Sequence, residues 1–125
     1  MALKKLKFEY EVCPDRDGNN NKQVSLEKKN DMYYLEYSKG NNLCVIEISS
    51  KVDKLYQGLL MMNINEWNQQ CFDGPMDMYP SYLWRLEVLA DDINVSCKGI
   101  DNLPKNWHLV KSLLCEIGIE ADFPF

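Results

Sequence analysis

Residues 5–12 read KLKFEYEV, and this stretch decides the fold class. Every second residue from Leu6 to Val12 is apolar, and lysine or glutamate stands at the positions between them. Successive side chains of a strand point to opposite faces, so one face of this strand is apolar and the other is charged. Such a strand is typical of an antiparallel sheet that packs on a core with one face only.

Three more strand patterns follow, over residues 23–29, 32–37 and 43–48. Asn-Asp at 30–31 and Gly-Asn-Asn at 40–42 separate them, and such short turns connect the strands of hairpins. We therefore predict a meander of four antiparallel strands in the first part of the chain.

The period of the apolar residues changes after Ser50, a residue that can cap the first turn of a helix. From Val52 to Met62 the apolar residues recur at three- and four-residue spacing, as they do on one face of an α-helix. A further helical turn, which carries Trp67, is predicted over residues 64–70.

Two strands and a second helix complete the pattern. The strands are predicted over residues 82–88 and 93–98, with a turn at 90–92 between them. Pro104 suits the first position of the last helix, where its missing N–H costs nothing. Gly118 supplies a left-handed stop for that helix.

The order ββββ-α-ββ-α predicts an α+β fold, an antiparallel sheet of about six strands with two helices on one face. No repeat and no linker interrupts residues 1–125, so we expect a single domain. Trp67, Trp84 and Trp107 are expected in its core. The order of the strands in the sheet does not follow from the pattern.

The charge is uneven along the chain, whose net charge is −5. Residues 1–63 carry 10 Lys/Arg and 9 Asp/Glu, a balance of +1, whereas residues 64–125 carry 4 and 10, a balance of −6. An acidic half repels phosphate, which argues against nucleic acid as a ligand, and it attracts a basic protein partner. No apolar run approaches the roughly 20 residues of a membrane helix, and we expect no membrane partner.

Five cysteines, at positions 13, 44, 71, 97 and 115, form no CxxC pair and are odd in number. A disulfide framework favours an even count in a shorter chain, so we expect buried free thiols in a reducing compartment. The first residues lead directly into a strand pattern and lack the apolar stretch of a secretory signal. These features predict a cytoplasmic protein.

The sequence shows no constellation of catalytic or metal-binding residues. Its one histidine, His108, lies two helical turns from Cys115, roughly 10 Å along the axis and too far for a hydrogen bond. Residues 15–19 match the first half of a calcium loop, but the glycine and the glutamate that such a loop needs later are missing. The sequence therefore predicts no catalytic residue, no metal site and no cofactor.

A segment rich in methionine and aromatic residues follows the first helix. Two prolines and a glycine over residues 72–80 predict a loop, because these residues interrupt strands and helices. Methionine and aromatic side chains are enriched in interface cores, so this loop is either a lid on the core or a docking surface. With the acidic turn that follows, it supplies the candidate interface: Phe72, Asp73, Met76, Asp77, Met78, Tyr79, Asp91 and Asp92.

Three motifs follow one another in the second half of the chain: INEW at 64–67, YLWRLEV at 82–88 and GIDNLPKNW at 99–107. With its Trp-x-Leu strand and its Gly-x-Asp-x-x-Pro-x-Asn-Trp entry to the last helix, the chain resembles a family of small uncharacterised bacterial cytoplasmic proteins. The resemblance implies a fold in which the glycine and proline shape a strand-to-helix corner. The Met- and Pro-rich loop before the Trp84 strand departs from that pattern.

Three functions are compatible with these features, and we favour a non-enzymatic protein that binds another protein. Its specific form is an immunity- or antitoxin-type protein that neutralises a basic toxin, because small size, acidity and missing catalytic residues fit that role together. A small-ligand carrier is the second hypothesis, and it requires a concave apolar pocket. An enzyme that uses a carboxylate or a cysteine is the third, and it requires a cleft that holds a group with a shifted pKa. The pocket of the second hypothesis, the small-ligand carrier, would use an aromatic sheet face formed by Tyr33, Tyr34, Tyr37 and Tyr82.

Overall fold

The structure is a computed structural model that describes residues 3–13, 21–40, 42–73, 81–100 and 103–118. Its strands are β1 (Leu3–Cys13), β2 (Lys22–Lys29), β3 (Met32–Lys39), β4 (Asn42–Glu47), β5 (Cys71–Asp73), β6 (Ser81–Ala90) and β7 (Ile93–Ile100). Its α-helices are α1 (Val52–Met61) and α2 (Trp107–Glu116), and a 3-10 helix (Ile64–Trp67) follows α1.

The strands form one sheet in the order β4-β3-β2-β1-β6-β7-β5. Six of them form an antiparallel open sheet, with α1 and α2 on one face, which confirms the predicted α+β fold and its ββββ-α-ββ-α order. β1 lies in the middle of the sheet, because β6, which follows α1 in the chain, pairs with the side of β1 that β2 leaves free.

The predicted hairpin turns are confirmed at the junction of β2 and β3. Asn30 and Asp31 have φ values of 52° and 64° between the paired residues Lys29 and Met32. Two successive positive φ values define a two-residue type I′ turn, a conformation that Asn and Asp tolerate and that matches the twist of the strands.

The prediction of a loop from residue 72 to 80 is wrong at its first two residues. Phe72 and Asp73 belong to β5, which pairs in parallel with β7, Phe72 opposite Gly99 and Asp73 opposite Ile100. A strand of three residues is too short to show an alternating pattern, and it forms because the edge of β7 offers free backbone groups. Residues 74–80 lie outside the described part of the chain.

The core lies on one side of the sheet only. Phe8 is 2% exposed and stands in register with Val24 of β2 and Leu86 of β6, which are buried as well. The opposite face of β1 is charged, as its sequence predicts: Lys5 pairs with Glu87 over 2.7 Å and Lys7 with Glu9 over 3.0 Å. We call this second face, which carries no helix among the described residues, the open face.

The three tryptophans are buried, as predicted, with 3–6% of their surface exposed. Trp107 of α2 stands with its ring centroid 4.9 Å from that of Phe8, 6.0 Å from Trp84 and 6.2 Å from Trp67. This cluster joins α2, the 3-10 helix and the central strands.

The helix ends differ in part from the prediction. The residue at the N-cap of α1 is Lys51, not Ser50, and it makes no capping side-chain hydrogen bond. α2 begins at Trp107, whose N–H donates to the carbonyl of Pro104 over 3.0 Å, so Pro104 lies in a turn before the helix. Gly118 has φ 111°, which confirms the left-handed stop after α2.

Candidate functional site

The members of the predicted candidate interface that the structure describes lie in two places along β7. Asp91 and Asp92 lie in the turn between β6 and β7, whereas Phe72 and Asp73 lie beside the far end of β7. The eight residues of β7 span roughly 23 Å at about 3.3 Å per residue, and this length separates the two groups. Met76, Asp77, Met78 and Tyr79 lie outside the described residues.

The acidic turn is held by neighbouring elements. Asp92 Oδ2 accepts a hydrogen bond from the Tyr56 hydroxyl over 3.0 Å, and its backbone carbonyl accepts one from Asn65 Nδ2 over 2.8 Å. Asp91 forms an ion pair with Lys4 over 3.4 Å. Burial, with a smaller contribution from the bond to Asp92, raises the pKa of Tyr56. These contacts tie the turn to α1 and the 3-10 helix, so the carboxylate of Asp92 has a structural partner.

The outer edge of β7 is closed by side chains and by β5. The N–H groups of Asn94 and Ser96 each donate over 3.0 Å to an asparagine Oδ1, from Asn65 and Asn68 respectively. The carbonyl of Ser96 accepts from the N–H of Gln69 over 2.8 Å, and β5 pairs with the rest of the strand. β7 therefore has few backbone groups left for a partner, and the outermost strand on this side, β5, is only three residues long.

The other edge strand, β4, is apolar and exposed on both of its faces. Leu43 is 63% exposed and Val45 54% exposed, Cys44 between them is exposed, and Ile46 is half-buried. Natural sheets usually protect an edge with charged residues or proline, because an uncovered apolar edge pairs with other chains. No such residue stands between Leu43 and Ile46, and no described element covers this side of β4.

The backbone of β4 also points hydrogen-bonding groups outward. The N–H of Ile48, just after the strand, donates to the carbonyl of Tyr33 in β3 over 2.8 Å. Residues of an antiparallel strand alternate between those bonded to the neighbour and those whose N–H and C=O point away from it. Counting back from Ile48, the N–H and C=O groups of the odd-numbered residues of β4 point away from β3. Val45 is the central one of these residues.

Carboxylates line the open face beside this edge. Glu47 belongs to β4, and Glu36 of β3 stands opposite Val45. Glu27 of β2 stands opposite Tyr34, and Tyr34 stands opposite Glu47. None of the three forms an ion pair with another described residue. Lys29 is the one described cation on the open face of β2, β3 and β4. We call Glu27, Glu36 and Glu47 the acidic strip.

Tyr33, Tyr34 and Tyr37, three of the four tyrosines expected to line a ligand pocket, do not share one face of the sheet. Tyr33 and Tyr37 are buried on the helix side, whereas Tyr34 points to the open face, because alternate residues of β3 face opposite ways. The side chain of Tyr82 lies outside the described part. A cavity of about 600 Å³ opens on charged residues, among them Glu9, Arg85 and Lys98, and differs from an apolar ligand pocket.

The cysteines are less buried than predicted. Cys44, Cys71 and Cys115 are free and exposed, because each lies at an edge strand or on the outer side of a helix. Cys97 is free and 4% exposed, and burial, with a smaller contribution from Cys71, raises its pKa to about 12. A thiol held protonated in this way is a poor nucleophile.

We expect the Cys97 thiol to react with an aromatic disulfide reagent only after unfolding. At pH 8 and a pKa of about 12, roughly one Cys97 thiol in ten thousand is a thiolate, and the side chain is buried. Counting fast-reacting thiols in the native chain checks this. Cys97→Ser should leave the count unchanged and Cys71→Ser should lower it by one; a lower count for Cys97→Ser would contradict the assignment.

His108 is exposed on α2, and the described residues contain no group of three His, Cys, Asp or Glu placed to hold a metal ion. Within the same residues, no helix has the length and apolar character needed to cross a membrane. Comparisons with protein-family models, curated proteins and solved structures find no match to this chain. The family resemblance of the second half stays a prediction.

Proposed function

We propose that this chain is a non-enzymatic protein-binding domain that engages another protein along the outer side of β4. The observation that carries this proposal is the contrast between the two edges of the sheet. On one side, two asparagine side chains and the three-residue edge strand β5 bond to β7, whereas on the other side β4 presents Leu43 and Val45 with outward backbone groups. Addition of a partner strand to an exposed edge is a common mode of peptide recognition.

The charge of the chain narrows the class of partner. A net charge of −5 and the acidic strip beside β4 favour a basic protein. A basic toxin neutralised in the bacterial cytoplasm fits this proposal, and the four free cysteines among the described residues agree with a reducing compartment.

Substitution of Val45 tests the proposal. Val45→Pro removes an N–H that points outward from the sheet. An edge strand tolerates proline at such a position, so the sheet should stay intact. Used as bait in an extract of the native cell, the original chain should retain a partner in equimolar amount, and Val45→Pro should lose it. Absence of such a partner, or its retention by Val45→Pro, would overturn the proposal.

Two further variants keep the comparison interpretable. Val45→Thr preserves the N–H and the branched shape and should retain the partner. Val45→Lys places a charge of the kind that protects natural edges and should lose it, even if proline disturbs the strand. Circular dichroism and urea unfolding establish that each variant is folded.

A further inference from the structure

We infer that the partner segment is an extended strand with lysine or arginine at alternate positions and apolar residues between them, added to β4 with its basic side over the acidic strip. This inference rests on the proposed function and names the chemistry of the partner. It follows from the different character of the two faces of β4.

On the open face, an added strand meets carboxylates and short apolar side chains. Neighbouring strands lie about 4.8 Å apart, so a basic residue opposite Glu47 contacts it directly. A basic residue opposite Val45 can lay its methylene groups over that side chain and reach Glu36, which lies one strand further in. Both carboxylates lack an ion pair within the described residues.

On the helix side, the same strand meets Cys44, which is exposed, and Ile46, which is half-buried. Neither carries a charge, so apolar residues fit the positions that face this side. The partner strand therefore alternates, with basic residues toward the open face and apolar residues toward the helices.

A second copy of this chain fits the edge less well. Pairing two β4 strands would place two acidic strips on the same face across the new junction, with Lys29 of each copy as the one described cation among them. Like charges at such a junction are unfavourable. A basic segment meets the same edge with opposite charge.

Two fluorescent seven-residue probes, alternating Val-Lys and Val-Glu, test the inference by anisotropy at low salt. The full chain should bind the lysine probe about tenfold more tightly than the glutamate probe, and the difference should shrink with added salt. Glu36→Lys with Glu47→Lys should reverse the preference. Glu11→Lys with Glu66→Lys changes net charge equally, away from β4, and should keep the original preference.

The outcomes separate this inference from the proposed function. The basic-strand inference is overturned by equal binding of both probes, by no binding of either, or by the same reversal in the Glu11→Lys with Glu66→Lys control. The test with the native partner still decides the proposed function. If light scattering shows a dimer that Val45→Pro dissociates, a second copy occupies the edge and the inference is wrong. Loss of the native partner from Glu36→Lys with Glu47→Lys supports it.

Discussion

Replacing Trp107 by alanine is expected to lower the free energy of unfolding by about 3–5 kcal/mol, the usual cost of truncating a buried aromatic side chain. Trp107 is 6% exposed and its ring stands among those of Phe8, Trp84 and Trp67. Alanine would leave a cavity where α2, the 3-10 helix and the two central strands meet. A loss of this size is a large part of the stability of a typical domain.

Phenylalanine at position 107 separates the effect of the ring contacts from the effect of the indole N–H. The Nε1 atom of Trp107 is buried and has no hydrogen-bond partner among the described residues, and an unpaired buried donor is unfavourable. Trp107→Phe removes this donor and keeps most of the ring contact, so its cost should stay below about 2 kcal/mol.

Urea unfolding followed by circular dichroism measures both changes. Leu109→Ala is the matched control, because Leu109 lies on the same helix and is 38% exposed; it should cost less than about 1 kcal/mol. If Trp107→Ala costs no more than Leu109→Ala, the aromatic cluster does not hold α2 on the sheet.

A sheet with its core on one face could be predicted, because apolar and charged residues alternate along β1. The charged positions of β1 face water, and Phe8 packs between Val24 and Leu86, as the pattern over residues 5–12 indicates. The strand order could not be predicted, because every strand of an antiparallel sheet has the same alternation whether it is central or at an edge.

The candidate site was missed for the same reason. Alternation over 43–48 puts Cys44 and Ile46 on one face, yet Cys44 is exposed, because β4 is the outermost strand and has a neighbouring strand on one side only. One signal was present in the sequence: Leu43 to Ile46 are apolar at four successive positions, with no charged residue or proline. That signal indicates an unprotected edge once the strand is known to be outermost.

The sequence predicts the candidate interface from the composition of the loop over 72–80 and from the acidic residues near it, and neither gives positions in space. Asp91 and Asp73 stand near opposite ends of β7, and Asp92 hydrogen-bonds Tyr56. The acidic strip, in contrast, lies in the half of the chain whose net charge is +1, because Glu27, Glu36 and Glu47 come together only through strand register.

Replacing Gly58 by valine is the second change for which we expect a large effect, a loss of about 1–3 kcal/mol in the free energy of unfolding. A Cβ atom at Gly58 would stand 2.4 Å from Leu113 Cδ2 and 2.8 Å from Leu113 Cδ1. α1 and α2 meet at this point, so valine must displace Leu113 or move the helices apart. Glycine inside a helix costs about 1 kcal/mol relative to alanine, and the close contact explains why it stands here.

A double-mutant cycle with Leu113→Ala tests whether the contact with Leu113 is the cause. Leu113→Ala removes the atoms that valine would strike, so in that background Gly58→Val should cost at least about 1 kcal/mol less than in the original chain. Gln57→Val, at an exposed position of the same helix, introduces the same residue without the contact and should cost less than about 1 kcal/mol. Additive costs in the cycle would mean that the contact with Leu113 is not what makes valine unfavourable at this position.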